Sequence, residues 1–344
     1  MNDDRRRATS FGAVFLGVAA ILLGSVAAVN YTVNPYGTYA SRRFPPYSWN
    51  VRQAKAIHLA SAPVPQALLL GSSRSFALDP AYVEARTGLS AYNASVTSGR
   101  LIDYAALLRL VFAQPSASNL KVVFVGLDLG SFWSDITVPL ELRSTPSLFR
   151  YVDGGTSGWM SPDALRLISF GQLTDSVQSV RQSQSGRAPS LTVDGNGVVH
   201  FAERERRMAE GTYDLAAAIR EELPYLEENY GKRWPVSPVH SRWLEDIANA
   251  CQDRGVRLVV YFAPDHPDAV TKLVPLGWQE NHDRMLAVAG EERARGAAFD
   301  IIDLSTIDRF GGSAEAFVNA THVTTLNAQR MLDVLLKGTG RAIQ

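Results

Sequence analysis

An uncharged stretch close to the N-terminus constrains this chain more than any other feature of its sequence. Residues 11–29 run for 19 positions without Asp, Glu, Lys or Arg, and three arginines at positions 5–7 precede them. A helix rises about 1.5 Å per residue, so about 20 apolar residues cross a bilayer. Basic residues before such a helix favour a cytoplasmic N-terminus. The pattern therefore predicts a cytoplasmic tip and a single transmembrane anchor within residues 1–33, with the rest of the chain outside the cytoplasm.

Two other interpretations of this stretch remain open. Ser25-Val26-Ala27 has the small-x-small form of a signal-peptidase site, so the segment could be a cleaved signal peptide. The apolar part of such a peptide usually spans about 7–15 residues, which is shorter than this one. A buried core helix is the third interpretation. Both membrane-related interpretations export the chain after about residue 33, to a compartment without ATP or reduced nicotinamide, so we expect no cofactor.

The composition argues against several classes of protein. Lys+Arg and Asp+Glu both count 34, and nucleic-acid-binding proteins normally carry a basic excess, so we expect no nucleic acid as partner. The single cysteine, Cys251, permits neither an intrachain disulfide nor a cysteine-based zinc site. The six histidines contain no His-x-x-x-His pair, so we expect no metal.

Strand and helix patterns alternate through most of the remaining chain. Short apolar runs predict strands at 67–70, 89–94, 121–127, 256–262 and 298–302. Helical spacing and capping residues predict helices at 79–88, 101–112, 266–273, 278–294 and 326–336. Such alternation requires crossover connections, and continuous apolar strands are typical of a sheet buried on both faces. The predicted fold class is therefore α/β, a three-layer α/β/α sandwich with a parallel, flavodoxin-like sheet.

A segment of different composition interrupts this alternation. Residues 191–201 predict a hairpin around the turn at 194–197, and residues 213–229 predict a charged amphipathic helix. We therefore expect one α/β domain over residues 34–344 with an insertion at about 134–242.

Four polar segments stand where strands end or where the last helix begins. Three of them, Gly71-Ser72-Ser73, Asn93 to Gly99 and Gly126-Leu127-Asp128, follow the first three strands, and Asn319-Ala320-Thr321-His322 precedes the final helix. Ligand sites in parallel sheets form at the carboxyl ends of the strands. There a serine hydroxyl can act as nucleophile, a histidine as its base, and backbone N–H groups as an oxyanion hole. Singly, such a serine is usually part of a turn and such a histidine a cap or surface residue, so the order of the segments is more informative.

This order resembles the SGNH (GDSL-like) hydrolase superfamily, and in particular its membrane-anchored, exported bacterial branch, related to proteins that handle acyl groups on alginate and teichoic acid. The resemblance implies that Ser73 is the nucleophile, that His322 is the base, and that Asn319 occupies the position of the triad aspartate. It also implies an oxyanion hole formed by the N–H groups of Ser73 and Gly99, with Asp128 in the position of the family's asparagine. The main domain would be periplasmic and the anchor would lie in the inner (cytoplasmic) membrane.

Two of these positions depart from the family pattern. An asparagine neither fixes the histidine tautomer nor stabilises the charged imidazole as reliably as an aspartate, and in a serine protease that exchange costs about 10⁴ in turnover. A carboxylate at Asp128 would repel the negative charge that develops in an oxyanion hole. A serine–histidine dyad, or a contact from Asp303 or Asp308 to His322, would offset the first departure.

Other residues are weaker candidates. Asp265, in Pro264-Asp265-His266 after a strand, is most simply a helix N-cap, and the charged residues 203–207 are more typical of a solvated face than of an anion site. Tryptophan side chains could stack on sugars, although core packing is their ordinary role; these are Trp133, Trp159, Trp234 and Trp243.

The resemblance implies an exported, membrane-anchored esterase or O-acyltransferase acting on acyl esters of an envelope or secreted polysaccharide. Its expected partners are the membrane, that polysaccharide or another acylated envelope substrate, and envelope assembly proteins. One alternative is a non-catalytic protein of the same fold that binds glycan or scaffolds an envelope polysaccharide assembly complex; another is a carbohydrate-binding envelope protein of unrelated fold. A catalytic pair requires the Ser73 hydroxyl to lie within about 3.5 Å of a ring nitrogen of His322.

Overall fold

The chain forms two compact units. A computed structural model describes residues 2–339 apart from 38, 42, 45–49, 129, 134–137, 144, 153–161, 186–190 and 231–234. The anchor unit comprises residues 1–50, 156–192 and 201–203, and the sheet unit comprises residues 51–155, 193–200 and 204–344.

Helices account for most of the regular secondary structure. In chain order they are α1 (Asn2–Val33), α2 (Val51–Ser61), α3 (Pro80–Thr87), α4 (Leu101–Phe112), α5 (Leu140–Arg143), α6 (Pro146–Phe149), α7 (Pro162–Leu167), α8 (Phe170–Gln184), α9 (Ala202–Ala209), α10 (Leu215–Tyr230), α11 (Pro238–Gln252), α12 (Pro267–Leu273), α13 (Trp278–Ala294) and α14 (Thr325–Thr339). Among the short 3₁₀ turns, Ser73–Ser75 directly follows the first strand.

Five parallel strands form the central sheet of the sheet unit. In chain order the strands are β1 (Ala67–Leu70), β2 (Ala91–Asn93), β3 (Val122–Leu127), β4 (Thr192–Val193), β5 (Val199–His200), β6 (Arg257–Phe262) and β7 (Asp300–Asp303). The central sheet has the order β2-β1-β3-β6-β7, and β4 pairs with β5 in a separate two-stranded sheet. The prediction of an α/β fold with a parallel sheet is confirmed.

The anchor unit is built around the long helix α1. Its part Ser10–Val33 has a mean hydropathy of 2.4 and is 6% buried, and within the described residues it is the helix long and apolar enough to cross a membrane. A core helix would be mostly buried, so both membrane-related interpretations fit better. The C-terminal end of α1 is held by Asn30, whose Nδ2 donates to Leu167 O at 2.8 Å and whose Oδ1 accepts from Ser176 Oγ at 2.9 Å.

Alternating side chains of the central strands enter two different apolar layers. Leu69, Phe124 and Tyr261 belong to one buried cluster, which also contains residues of α3 and α14 such as Val83 and Met331. The intervening residues point to the opposite face because side chains alternate along a strand. On that side α11 packs against β6 and α4. The sheet is therefore covered on both faces, which explains why its strands consist of continuous apolar runs.

The start of α12 differs from the prediction that Asp265 caps it. The N-cap is His266, whose Nδ1 accepts from the backbone N–H of Asp268 at 3.1 Å. The Asp265 carboxylate accepts instead from Arg74 Nη1 and from Trp278 Nε1, both at 2.7 Å. A charged partner and a buried indole N–H compete successfully with a neutral helix terminus for this carboxylate.

The strand order fixes where a site can form. The chain leaves β1 toward β2 on one side and leaves β3 toward β6 on the other. At such a switch point the connecting loops diverge and leave a crevice at the carboxyl ends of the two strands. Ser73 follows β1 and Asp128 follows β3, so both residues lie at this crevice.

A buried hydrogen bond supports the floor of the crevice. Ser75 Oγ and the Tyr261 hydroxyl lie 2.6 Å apart, and a Cβ added at Gly126 would lie 2.5 Å from that hydroxyl and 2.6 Å from Ser75 Oγ. Real Cβ atoms essentially never approach so closely, so glycine at 126 makes room for the pair.

Gly126→Ala should therefore destabilise the sheet unit by about 1–3 kcal/mol, because overpacking of a dense core forces neighbouring groups to shift. The measurement is the free energy of unfolding by chemical denaturation. The matched control is Gly290→Ala in α13, where the added Cβ meets nothing within 4 Å and helix propensity favours alanine by about 1 kcal/mol. Equal free energies of unfolding for the two variants would contradict the conclusion that glycine is required at position 126.

The sheet unit contains a buried thiol. Cys251 on α11 is fully buried, and burial raises the pKa of its thiol to about 12. The thiolate, which is the reactive form, is therefore scarce at neutral pH.

Candidate active site

Ser73 is presented by a tight turn at the end of β1. Ser72 has extended backbone angles and its side chain accepts from the Arg74 N–H at 3.3 Å, which caps the 3₁₀ turn that begins at Ser73. Ser73 is half-buried and lines a cleft at the carboxyl edge of the sheet. The capped turn thus fixes the backbone of Ser73 at the edge of this cleft.

His322 reaches the same cleft from the loop before α14. An antiparallel bridge between Phe317 and Val323 closes this loop, and the Val318 N–H donates to His322 O at 2.8 Å. His322 Nε2 lies 2.9 Å from Ser73 Oγ, although the two residues are 249 positions apart. The distance is shorter than the 3.5 Å limit expected for a catalytic pair.

Asn319 holds the imidazole of His322 in one orientation. Its Oδ1 accepts from the backbone N–H groups of Thr321 and His322, at 3.2 and 2.8 Å, and lies 2.9 Å from His322 Nδ1. The two backbone donors identify this amide atom as the oxygen, so Nδ1 must carry the proton that it shares with the oxygen. The lone pair of Nε2 then faces Ser73, so this asparagine fixes the tautomer better than its residue type suggests.

The imidazole is neutral in its resting state. Burial, followed by the positive charges of Arg74 and Arg204, lowers the pKa of His322 to about 3, and Asp128 acts weakly in the opposite direction. A neutral imidazole can accept the serine proton. The same surroundings disfavour the charged imidazolium that accepting the proton would create.

Arg204 differs from its neighbours in the charged segment 203–207, which the sequence predicts to be a solvated face. The other four residues are exposed, but Arg204 is half-buried and its charge acts on His322. A helix face that is polar throughout gives no signal of which charge turns inward. Arg74 is fixed more firmly, because Asp265 forms a largely buried ion pair with it at 2.7 Å.

Gly99 brings the loop after β2 into close contact with the end of β1. A Cβ at Gly99 would lie 2.8 Å from Gly71 O and from the Tyr104 ring, so the close approach requires glycine. The Gly99 N–H, which the family resemblance assigns to an oxyanion hole, donates to Val96 O at 3.1 Å. In this conformation it is engaged within its own turn. The Ser73 N–H, by contrast, has no hydrogen-bond acceptor among the described residues.

Asp128 lies in the loop after β3 and lines the cleft. Its Oδ1 accepts from the Gly130 N–H at 3.1 Å and from Ser131 Oγ at 3.3 Å. The carboxylate thus closes its own loop, which is an ordinary structural use of aspartate after a strand.

The carboxylates expected to support His322 have other partners. Asp303 accepts from His282 Nε2 at 3.2 Å and pairs with Arg309 at 2.9 Å. Burial opposes its charge, but the hydrogen bond from His282 lowers the pKa of Asp303 to about 2. Asp308 is exposed, and its pKa is lowered by the hydroxyl of Thr306. Neither aspartate is hydrogen-bonded to His322.

A carboxylate from α10 contacts the loop that carries the histidine. Glu222 Oε1 accepts from Thr321 Oγ1 at 2.7 Å, and its Oε2 accepts from the Ala320 N–H at 2.9 Å. Thr321 Oγ1 lies 3.0 Å from His322 Nδ1. Sequence reasoning missed Glu222, because a glutamate in a charged amphipathic helix carries no signal of a long-range contact.

The cleft is small and partly apolar. Its volume is about 220 Å³, below the roughly 300–1,000 Å³ of sites that enclose a drug-sized ligand. Trp133, Tyr225 and Leu226 line it together with the polar groups, and Tyr225 is 68% exposed. Trp243 packs against the Arg109 guanidinium, while Trp159 and Trp234 lie outside the described residues.

Across the residues that the structure describes, no group of three or more His, Cys, Asp or Glu side chains could hold a metal ion.

Comparisons with known proteins add little to this geometry. No protein-family model and no curated protein matches the chain. Among solved structures, the chain is similar to a candidate acylhydrolase from Bacteroides fragilis NCTC 9343, with a TM-score of 0.35 and 9% identity, over 86% of this chain and 99% of that chain. A likeness at this TM-score supports no conclusion about activity, which must be inferred from the residues of the cleft.

The lowered pKa of His322 predicts a pH-dependent stability. Between its folded pKa of about 3 and its ordinary value of 6.5, the unfolded chain binds a proton that the folded chain does not. The stability contributed by neutral His322 is therefore complete above about pH 6.5 and is lost as the pH falls toward 3. The free energy of unfolding of the wild type, measured relative to His322→Asn, should rise between about pH 4 and pH 7. A pH-independent difference between the two proteins would contradict this assignment.

Proposed function

We propose that this protein is an exported, membrane-anchored serine esterase or O-acyltransferase of the SGNH type that acts on acyl esters of an envelope or secreted polysaccharide. The observation that carries the proposal is the 2.9 Å hydrogen bond between Ser73 Oγ and His322 Nε2 in a cleft at the carboxyl edge of a parallel sheet. The apolar helix Ser10–Val33 supports the membrane-anchored part of the proposal.

In the first step, Ser73 Oγ attacks the ester carbonyl carbon while its proton moves to His322 Nε2. The carbonyl π bond opens and its oxygen becomes negatively charged. When this intermediate collapses, the bond to the sugar oxygen breaks and His322 returns the proton to the leaving hydroxyl. Water or a second sugar hydroxyl then attacks the acyl-Ser73 ester, with His322 again as base, which gives hydrolysis or transfer respectively.

The oxyanion would be stabilised by the free Ser73 N–H and by the charge of Arg74. The same positive charge that lowers the pKa of His322 favours a negative oxygen nearby. Gly99 N–H would join as a second donor if its turn opens on substrate binding. Asp128 opposes the oxyanion but favours the imidazolium, so its two effects partly cancel.

The size of the cleft supports a short acyl group as the enclosed part of the substrate. A volume of about 220 Å³ leaves no room for several sugar rings, so the polymer would lie outside. Trp133 and the exposed ring of Tyr225 lie at the cleft and offer apolar faces on which a sugar could stack. Envelope assembly proteins remain proposed partners.

Ser73→Ala should abolish labelling of the full-length protein by a fluorophosphonate probe and lower acyl-ester turnover by at least about 10³-fold. The matched control is Ser61→Ala, which changes an exposed serine on α2. Labelling is read by mass spectrometry of the Ser73 peptide. A wild type that is neither labelled nor active on acetylated polysaccharide would favour the alternative of a non-catalytic glycan-binding or scaffolding protein.

Asn319→Asp should raise turnover by about tenfold or more, because a carboxylate beside Nδ1 stabilises the imidazolium that the amide only orients. The recorded hydrogen bonds of the Asn319 side chain all use Oδ1, so an aspartate can accept each of them. The measurement is kcat for a soluble acetyl ester. Asn319→Ala, which removes the acceptor, should lower it, and a rate that is insensitive to both substitutions would contradict the assigned role.

A further inference from the structure

We infer that Glu222 is a positioning residue that supplies, through Thr321, the negative charge that Asn319 cannot give to His322. This inference rests on the proposed function of Ser73 and His322. It goes beyond that function because it assigns the missing carboxylate of the site to α10, a helix within the predicted insertion.

A continuous series of polar contacts connects the Glu222 carboxylate to the Ser73 hydroxyl. Glu222 Oε1 accepts from Thr321 Oγ1 at 2.7 Å, Thr321 Oγ1 lies 3.0 Å from His322 Nδ1, and His322 Nε2 lies 2.9 Å from Ser73 Oγ. The second carboxylate oxygen is held by the Ala320 N–H at 2.9 Å. Both oxygens of Glu222 are therefore fixed by the same loop that carries the histidine.

The chemistry of these groups determines which one donates in each hydrogen bond. An ionised carboxylate only accepts hydrogen bonds, so the Thr321 hydroxyl must point its hydrogen at Glu222. The lone pairs of Thr321 Oγ1 are then left to accept from His322 Nδ1. This reinforces the tautomer that Asn319 Oδ1 also selects, and it leaves Nε2 free to accept the proton of Ser73.

Burial makes the effect of this charge significant. Thr321, which lies between the Glu222 carboxylate and the imidazole, is 3% exposed, and Glu222 itself is half-buried, so water screens their interaction only in part. As Ser73 gives up its proton, positive charge develops on His322, and a carboxylate one hydroxyl away stabilises it. In this respect Glu222 performs the electrostatic part of a triad aspartate, while Asn319 performs the orienting part.

Other charges face the same groups and must be counted in any pH profile. Arg74 and Arg204 oppose the imidazolium, and Asp128 favours it. Near Glu222, burial raises the pKa of the Tyr213 hydroxyl; the charge of Arg204 lowers this pKa and the Glu222 carboxylate raises it. Arg74 is already paired with Asp265 at 2.7 Å, so Asp128 and Glu222 are the negative groups left to balance Arg204 and the developing imidazolium.

The test uses the full-length protein in detergent and the second-order rate of fluorophosphonate labelling at Ser73, measured at neutral pH. Glu222→Gln should lower this rate by about 10- to 100-fold, because the amide removes the charge and can reverse the direction of the Thr321 hydrogen bond. Glu221→Gln, on the exposed face of α10, is the matched control and should match the wild type.

Thr321 provides a second, independent arm. Thr321→Val should lose rate as Glu222→Gln does, whereas Thr321→Ser, which keeps the hydroxyl, should retain it. Combining Glu222→Gln with Thr321→Val should lower the labelling rate no further than either change alone, because both interrupt the same series of contacts from Glu222 to His322. Adding Asn319→Asp should rescue Glu222→Gln by placing a carboxylate directly at Nδ1. A purely structural role for Glu222 predicts no such rescue.

The outcomes separate this inference from the proposed function. If the wild type is labelled at Ser73 and Glu222→Gln is labelled at the same rate, the role of Glu222 is overturned and the serine enzyme stands. If the wild type is not labelled, both fail. Should Glu222→Gln not fold, equal labelling of Thr321→Val and Thr321→Ser overturns the inference, and loss confined to the valine variant supports it.

Discussion

A sheet that is buried on both faces concentrates the polar chemistry of this chain at the carboxyl ends of its strands. The interior strands offer apolar side chains to both helical layers, so hydroxyls and carboxylates gather where the strands stop. Close packing at this edge then depends on glycine: Gly126 admits the Ser75–Tyr261 pair, and Gly99 lets its loop touch Gly71. The position of Ser73 follows from these contacts more than from any property of the serine itself.

Charge balance around the histidine is the second determinant of the site. Burial and two arginines hold His322 neutral, so its imidazole can accept a proton. The same surroundings disfavour the imidazolium that would form when it does so. The tautomer is set by an amide oxygen at 2.9 Å. Our inference assigns charge compensation to a second residue, Glu222, whereas one aspartate usually combines both roles. A site divided in this way depends on residues from distant parts of the chain, the loop before α14 and the helix α10.

Most of the fold could be predicted from the sequence, because apolar runs of strand length between helical segments have few alternatives in a doubly covered sheet. The boundaries of α4 and α13 are those expected, and β1 likewise. The candidate pair Ser73 and His322 was found from the order of short polar segments, and the two residues do meet in the structure. What sequence could not give were contacts that depend on competition between distant partners. Asp265 leaves its expected cap for Arg74, 191 positions away, and Glu222 turns inward from a helix whose other charges are ordinary surface residues.

The solitary thiol of the sheet unit has a consequence for where such a protein can fold. Cys251 is buried in the core and stays protonated at neutral pH. Oxidants and other thiols therefore cannot reach its sulfur, and the reactive thiolate is scarce. Transfer of the folded chain between reducing and oxidising surroundings would therefore leave its covalent structure unchanged. Maturation in an oxidising compartment would require no isomerase to sort disulfides, and the native state would be equally stable under either redox condition.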